Sequence, residues 1–366
     1  MKRIRVILAG CLVSALIVGC SVPPPADSSS AERPAKQTPK LFVVLPDFCP
    51  TPDGMDIAPD GKLVVACPNY GDQSQPGCLI KIDVDGNVEK WVDVPTLEKT
   101  GVACPMGIQF GPDGDVYVCD NQGWTGTPEG KEQGRILRLR IADNEIEKAT
   151  VVASGMEHPN GVRVKDGFLY VTQSMLPKVE DPSGLLVSAV YRFPLDGENI
   201  SVANTLDDEH LIVSMPTLNK DCQYGADGLV FDKEGNLYVG NFGDGAIHKI
   251  TFDETGEVSG QSVWAKDMPE MRTTDGICID ESGNIYVADF SENAVAVVTP
   301  AAEVYRIAQS PDCDGSEGGL DQPGEPIVFN GKLIVTCFDK VTGPDKVNTA
   351  HDKPYTISML ELISAE

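Results

Sequence analysis

The chain has 366 residues, of which 41% are hydrophobic and 23% charged, so it can bury a large core and is not of the disordered type. Its formal net charge of −26 excludes nucleic-acid binding, which needs basic surface to displace counterions. The same charge suits divalent cations.

The first element, "MKRIRVILAGCLVSALIVGC", has a basic start, an apolar run from Ile7 to Val18 and a small residue before cysteine. This is the pattern of a secretory leader, and the run is short for a membrane span. Its end, "LIVGC", matches the bacterial lipoprotein signal, so residues 1–19 are expected to be a signal peptide and Cys20 a lipidated thiol. An ordinary signal peptide that ends near a cysteine is the other reading. Ser21 in the next position favours the outer membrane in a host that has one, with the protein anchored at the cell envelope by lipid alone. Residues 20–40, rich in Pro, Ser and Ala, are expected to be a flexible linker, and 41–366 the folded body. With Cys11 and Cys20 set aside, nine cysteines remain. None has zinc or haem spacing, and Cys67 with Cys78, at opposite ends of one hairpin loop, form the best local pair.

Six copies of one unit follow. They begin "PDGMDIAPDGKLVVACPN" at Pro52, "PMGIQFGPDGDVYVCDN" at Pro105, "PNGVRVKDGFLYVTQS" at Pro159, "ADGLVFDKEGNLYVGN" at Ala226, "TDGICIDESGNIYVAD" at Thr274 and "GEPIVFNGKLIVTCF" at Gly324. Each reads as strand, tight turn, strand, and two further short strands come after it. The expected fold is all-β: a six-bladed β-propeller with four antiparallel strands per blade. The last copy supplies only three strands, and "KLFVVLPD" at 40–47 is an orphan. Pairing it with the last blade closes the ring.

Long insertions follow the second strand of several copies, around 68–78, 120–134, 172–188 and 338–353, or precede the first strand, near 214–226 and 309–324. Both positions open on one face, which marks it as the binding face. There the innermost strands begin with Asp53, Met106, Asn160, Asp227, Asp275 and Glu325. Converging carboxylates repel one another, and a hard divalent cation, Ca²⁺ rather than Mg²⁺ in irregular geometry, resolves the conflict. Zinc prefers His or Cys, and the chain has four His. The Asp-Gly and Asn-Gly pairs also suit plain turn chemistry, but Glu325, followed by Pro326, does not.

With these motifs the chain resembles the gluconolactonase/regucalcin (senescence marker protein) family of six-bladed propellers, related to diisopropylfluorophosphatase, drug-responsive lactonase and paraoxonase. The family carries a Glu in a "GE.PVW" or "EGPVF" element, an Asn in "NG" three blades on and an Asp in "DG" on the next blade, all binding a catalytic calcium. Around the closed ring here, "GEPIVF" supplies Glu325, "HPNGV" supplies Asn160 and "ADGL" supplies Asp227, with the blades cyclically shifted so that the glutamate blade comes last. The sequence departs at Met106, where the family often has a further Asn, so water or substrate would complete the calcium shell. The resemblance implies a Ca²⁺-dependent hydrolase of a lactone or related ester, with Asp227 as both ligand and general base. His158 is a candidate proton shuttle, and Asp53, Met106, Asp275, Asn241 and Asp289 are candidates for lining the substrate pocket. The alternative is a non-catalytic, membrane-tethered propeller that binds a sugar or protein partner with the same face. A strictosidine-synthase-like condensing enzyme is a third reading. No Gly-x-Ser-x-Gly element or Gly-rich phosphate loop is present.

Overall fold

A computed structural model describes residues 33–363. The expected leader, Cys20 and most of the linker lie outside the described residues. The body is a ring of six antiparallel sheets. The first blade runs Met55–Ile57, Leu63–Cys67, Cys78–Ile82 and Val88–Asp93 from inside outwards, and the second Pro105–Phe110, Val116–Asp120, Gly134–Ala142 and Glu145–Met156. The third is Pro159–Lys165, Phe168–Gln173, Val187–Pro194 and Leu211–Pro216; the fourth is Ala226–Phe231, Leu237–Asn241, Ala246–Phe252 and Val258–Lys266. The fifth is Ile277–Ile279, Ile285–Asp289, Ala294–Val298 and Val304–Gln309. Each innermost strand packs on the next, and the last returns to the first.

The sixth blade joins the two ends of the body. Pro323–Phe329, Lys332–Cys337 and Thr356–Glu361 are completed by Lys40–Val44, which pairs antiparallel with Thr356–Glu361 through Lys40↔Met359 and Val44↔Thr356. The orphan strand expected at 40–47 is this closing strand, and it covers the outer edge of Thr356–Glu361. One strand goes beyond the expectation. The long connection within the third blade lays Ile200–Ser201 parallel to the outer strand of the second, covering that edge. Among the described residues the only helices are three short 3₁₀ turns: Gln122–Thr125, Pro128–Gly130 and Phe290–Glu292.

The hairpins form where Asp-Gly and its equivalents stand. Gly61, Gly114, Gly167, Gly235, Gly283 and Gly331 all adopt positive φ, from 73° to 87°, which a Cβ would strain. The apolar members of each strand, such as Leu63, Val65, Tyr117, Tyr191, Val239, Tyr286 and Val335, interleave between blades as fully buried core.

Candidate metal site at the propeller hub

The axial residues meet as the repeat predicted, with one exception. Asp53, Asn160, Asp227, Asp275 and Glu325 line one cavity at the hub, together with Gly107, Gly161, Gly228, Leu229 and Arg163. Its free space is on the order of one water or one small ion. Asp53, Asn160, Asp227 and Asp275 are between 3% and 9% exposed. Met106 does not line the cavity. Its side chain is buried and belongs to the apolar cluster that also holds Tyr70, Phe242, Phe290 and Phe338, and its thioether is no donor for a hard cation.

Glycines let the strands come this close. A Cβ on Gly54 or Gly107 would strike the carbonyl oxygen of Met106 or Asn160 on the following blade. On Gly161 or Gly228 it would lie 2.9 Å from Asp227 O or 2.7 Å from Asp275 O. On Gly276 it would collide with Glu325 Oε2 itself. None of these glycines has positive φ. The axial Asp-Gly and Asn-Gly pairs are therefore close-approach sites rather than turns.

The electrostatics are those of crowded acids with one cation. Burial, then the charges of Glu325 and Asp227, holds Asp53 well above the usual carboxylate range. Asp275 is raised in the same way by burial and by Asp227 and Asp53. Burial pushes Asp227 up to about 8 and Glu325 up to about 7. Asp227 and Asp275 act on each other, so the ionisation of each depends on the state of the other. The cation is Arg163, three residues along the inner strand from Asn160. Its Nη2 donates to Glu325 Oε1 at 3.1 Å and to the Ile277 carbonyl at 3.4 Å. Sequence reasoning missed Arg163. The signal was a basic residue at the repeat position held elsewhere by Asp56, Gln109, Val230, Cys278 and Val328.

Among the described residues the Asn160 carboxamide makes no hydrogen bond, although it is 5% exposed and borders the cavity. The donor set fits a hard cation: oxygen atoms only, from carboxylates and one amide around a single small cavity.

The remaining candidates sit in the scaffold around the hub. Asp289 accepts from Arg272 N, Thr273 N and Thr273 Oγ1, each at 2.9 Å, and from Arg306 Nη2 at 2.7 Å. Asp120 does the same job in the second blade, accepting from Cys104 N at 2.7 Å and Arg135 Nε at 2.7 Å. These buried ion pairs clamp the loop that leads into each inner strand. Asn241 is fully buried, donating to the Pro216 carbonyl and accepting from Thr217 Oγ1. His158 Nδ1 lies 3.2 Å from Asn121 Oδ1, and burial pushes its pKa down to about 4, so the ring is neutral near pH 7. None of these three lines the hub cavity.

A second feature escaped the sequence reading. Six aromatic rings form a closed circle: Tyr70 to Trp124 (5.7 Å between centroids), Trp124 to Tyr224 (5.5 Å), Tyr224 to Phe242 (5.6 Å), Phe242 to Phe290 (5.6 Å), Phe290 to Phe338 (5.8 Å) and Phe338 back to Tyr70 (6.3 Å). Trp124 Nε1 donates to Tyr224 Oη at 2.5 Å. Backbone bonds from Phe242 N to Gly225 O and from Phe338 N to Gln322 O put these rings just outside the start of the inner strands. The aromatic circle therefore roofs the acidic hub on the face with the long loops. Phe242, Phe290 and Phe338 follow directly on the second strand of the last three blades, in "GNF", "ADF" and "TCF".

Comparison with known proteins agrees with this architecture. The family model of the SMP-30/gluconolactonase/LRE-like region matches residues 244–314, a span that holds Asp275 and Asp289 but not Glu325, Asn160 or Asp227. A gluconolactonase structure from Xanthomonas campestris aligns with TM-score 0.54 at 17% identity, covering 90% of this chain and 98% of that one. Regucalcin, a calcium-binding protein from Agrobacterium tumefaciens, aligns with TM-score 0.56 at 13% identity, covering 89% and 94%. The PQQ-bound aldose sugar dehydrogenase of Streptomyces coelicolor aligns with TM-score 0.55 at 17% identity, covering 90% and 99%. No functionally curated protein matches the chain. The chain resembles the SMP-30/gluconolactonase/LRE-like family in the matched span, and over nearly its whole length it shares the propeller fold.

Proposed function

We propose that the hub holds a divalent cation, Ca²⁺ in the first instance, and that the protein hydrolyses a lactone or related ester there. The observation that carries this reading is the convergence of Glu325, Asn160 and Asp227 in one buried cavity, flanked by Asp53 and Asp275. Glu325, Asn160 and Asp227 would hold the ion, which when bound supplies a Lewis acid able to polarise a substrate carbonyl. Arg163 fixes the orientation of the Glu325 carboxylate through the 3.1 Å contact. Asp227 is the general base in this reading, because its carboxylate borders the hub cavity beside the place the ion would occupy. Asp53 and Asp275 border the place where a substrate oxygen would sit.

Chelator-sensitive hydrolysis is the test. On a panel of aldonolactones and aryl esters, Glu325→Gln and Asp227→Asn should each lose activity by at least about a hundredfold, the scale of one well-placed acid–base group. Full activity in both variants overturns the reading.

The aromatic roof favours a second reading, a non-catalytic propeller that binds a sugar or protein partner on its loop face. Trp124→Ala, which removes the ring bridging Tyr70, Tyr224 and Phe338, separates the two. A gated enzyme should change its KM or kcat, whereas a binder should show no turnover in either form. We also propose export and lipid anchoring through Cys20. Loss of acyl labelling and of membrane association in Cys20→Ser would support it, and unchanged fractionation would refute it.

A further inference from the structure

Three cysteines meet at the seam where the ring closes. Cys49 lies in the segment between the closing strand Lys40–Val44 and the inner strand of the first blade. Cys67 ends the second strand of that blade, Cys78 begins the third, and the two are register partners. All three are free thiols with 0% exposure, and their sulfurs lie within 4.8 Å of one another. Among the described residues no other set of three His, Cys, Asp or Glu donors is so compact.

We propose that Cys49, Cys67 and Cys78 form a three-coordinate thiolate site for a soft monovalent cation of the copper(I) type, separate from the oxygen site at the hub. A disulfide would use two sulfurs and leave the third idle beside it; here all three converge. The donor set decides the metal class. Thiolates select Cu(I), zinc or iron–sulfur clusters, but zinc wants four ligands, commonly including His or carboxylate. The trio belongs to an apolar cluster that also holds Leu45, Val65, Ile80, Ile334 and Tyr355, and the soft thioethers of Met55 and Met359 belong to or pack against the same cluster. Replacing three thiol protons by one cuprous ion leaves two negative charges. The Lys90 ammonium, which sits 5.6 Å from the ring centroid of Phe48 and is ion-paired with Asp93, acts electrostatically on Cys49 and Cys78, and Asp93 opposes it at Cys78. Cys49 lies in the segment between strands, whereas the other two are held in strands. A bound ion would tie the closing segment to the first blade and raise thermal stability by mass action.

The purified chain, reduced under anaerobic conditions, should withdraw one equivalent of Cu(I) from a chromophoric Cu(I) chelator and melt several degrees higher. X-ray absorption on the loaded wild type should show copper surrounded by sulfur alone. Cys49→Ser, Cys67→Ser and Cys78→Ser should each weaken retention at least tenfold, while Cys278→Ser, in another cluster, should not. Circular dichroism identifies any variant that fails to fold, and the wild-type absorption spectrum tests the site without variants. The proposal is overturned by absence of Cu(I) retention, by nitrogen or oxygen in the copper shell, by preferential Zn²⁺ retention, or by a Cys67–Cys78 disulfide in the protein as isolated.

Discussion

Asp321 shows how far a single buried carboxylate can be read. It is 2% exposed, and its Oδ1 has no hydrogen-bond partner. Burial, followed by the charges of Asp339, Asp312, Asp352 and Asp314, pushes it up to about 8. A carboxyl raised in the folded state binds its proton more tightly there than when unfolded, so it costs stability as pH rises from the unfolded value near 4 towards about 8. Asp321→Asn cannot ionise. Its stability relative to wild type should be flat below pH 4 and rise above it by of order 1 kcal/mol per pH unit, levelling off near pH 8. Urea unfolding of both proteins from pH 4 to 9 measures this, and a pH-independent difference would refute it. At the same scale, Glu325 could be singled out from sequence because Glu is a poor turn residue and Pro follows it. Arg163 could not, because its partner lies on a blade 162 residues away in the chain.

Element by element, the periodic pattern was the most legible part of the sequence. Alternating apolar residues bounded by Asp-Gly turns identify strands and hairpins locally. The axial Gly residues carry the same letters as the turn glycines but a different cause, backbone approach between neighbouring blades. Gly276 gives the sharpest test, since a Cβ there would collide with Glu325 Oε2. Gly276→Ala should destabilise the fold by about 1–3 kcal/mol, the usual cost of overpacking, and should also displace the Glu325 carboxylate. Gly283→Ala, at a positive-φ turn far from the hub, should cost stability through backbone strain alone and leave hydrolysis untouched. Equal effects of both on activity would show that Gly276 does not act through Glu325.

For the whole molecule, the decisive event is closure of the ring. The first-to-last pairing of Lys40–Val44 with Thr356–Glu361 completes the last blade, and the inner strands of the first and last blades pack on each other, so that every inner strand has two neighbours. Deleting residues 40–44 should expose the edge of Thr356–Glu361, lower the melting temperature by at least about 5 °C and promote association. Differential scanning calorimetry with light scattering reads both, and an unchanged melting profile would refute the role. Closure also makes the cyclic order of the blades the meaningful one, which lets a glutamate from the last repeat face an asparagine from the third. By itself the sequence determined the repeat, the number of blades, the orphan closing strand and five of the six hub positions, because each follows from local periodicity or from copies compared position by position. The tertiary structure alone decided that Met106 turns into the core, that Arg163 reaches Glu325, that six aromatics roof the hub, that Asp289, Asn241 and His158 brace loops, and that three cysteines converge. Those facts depend on which blades become neighbours and how closely their backbones approach, a distance that no repeat pattern encodes.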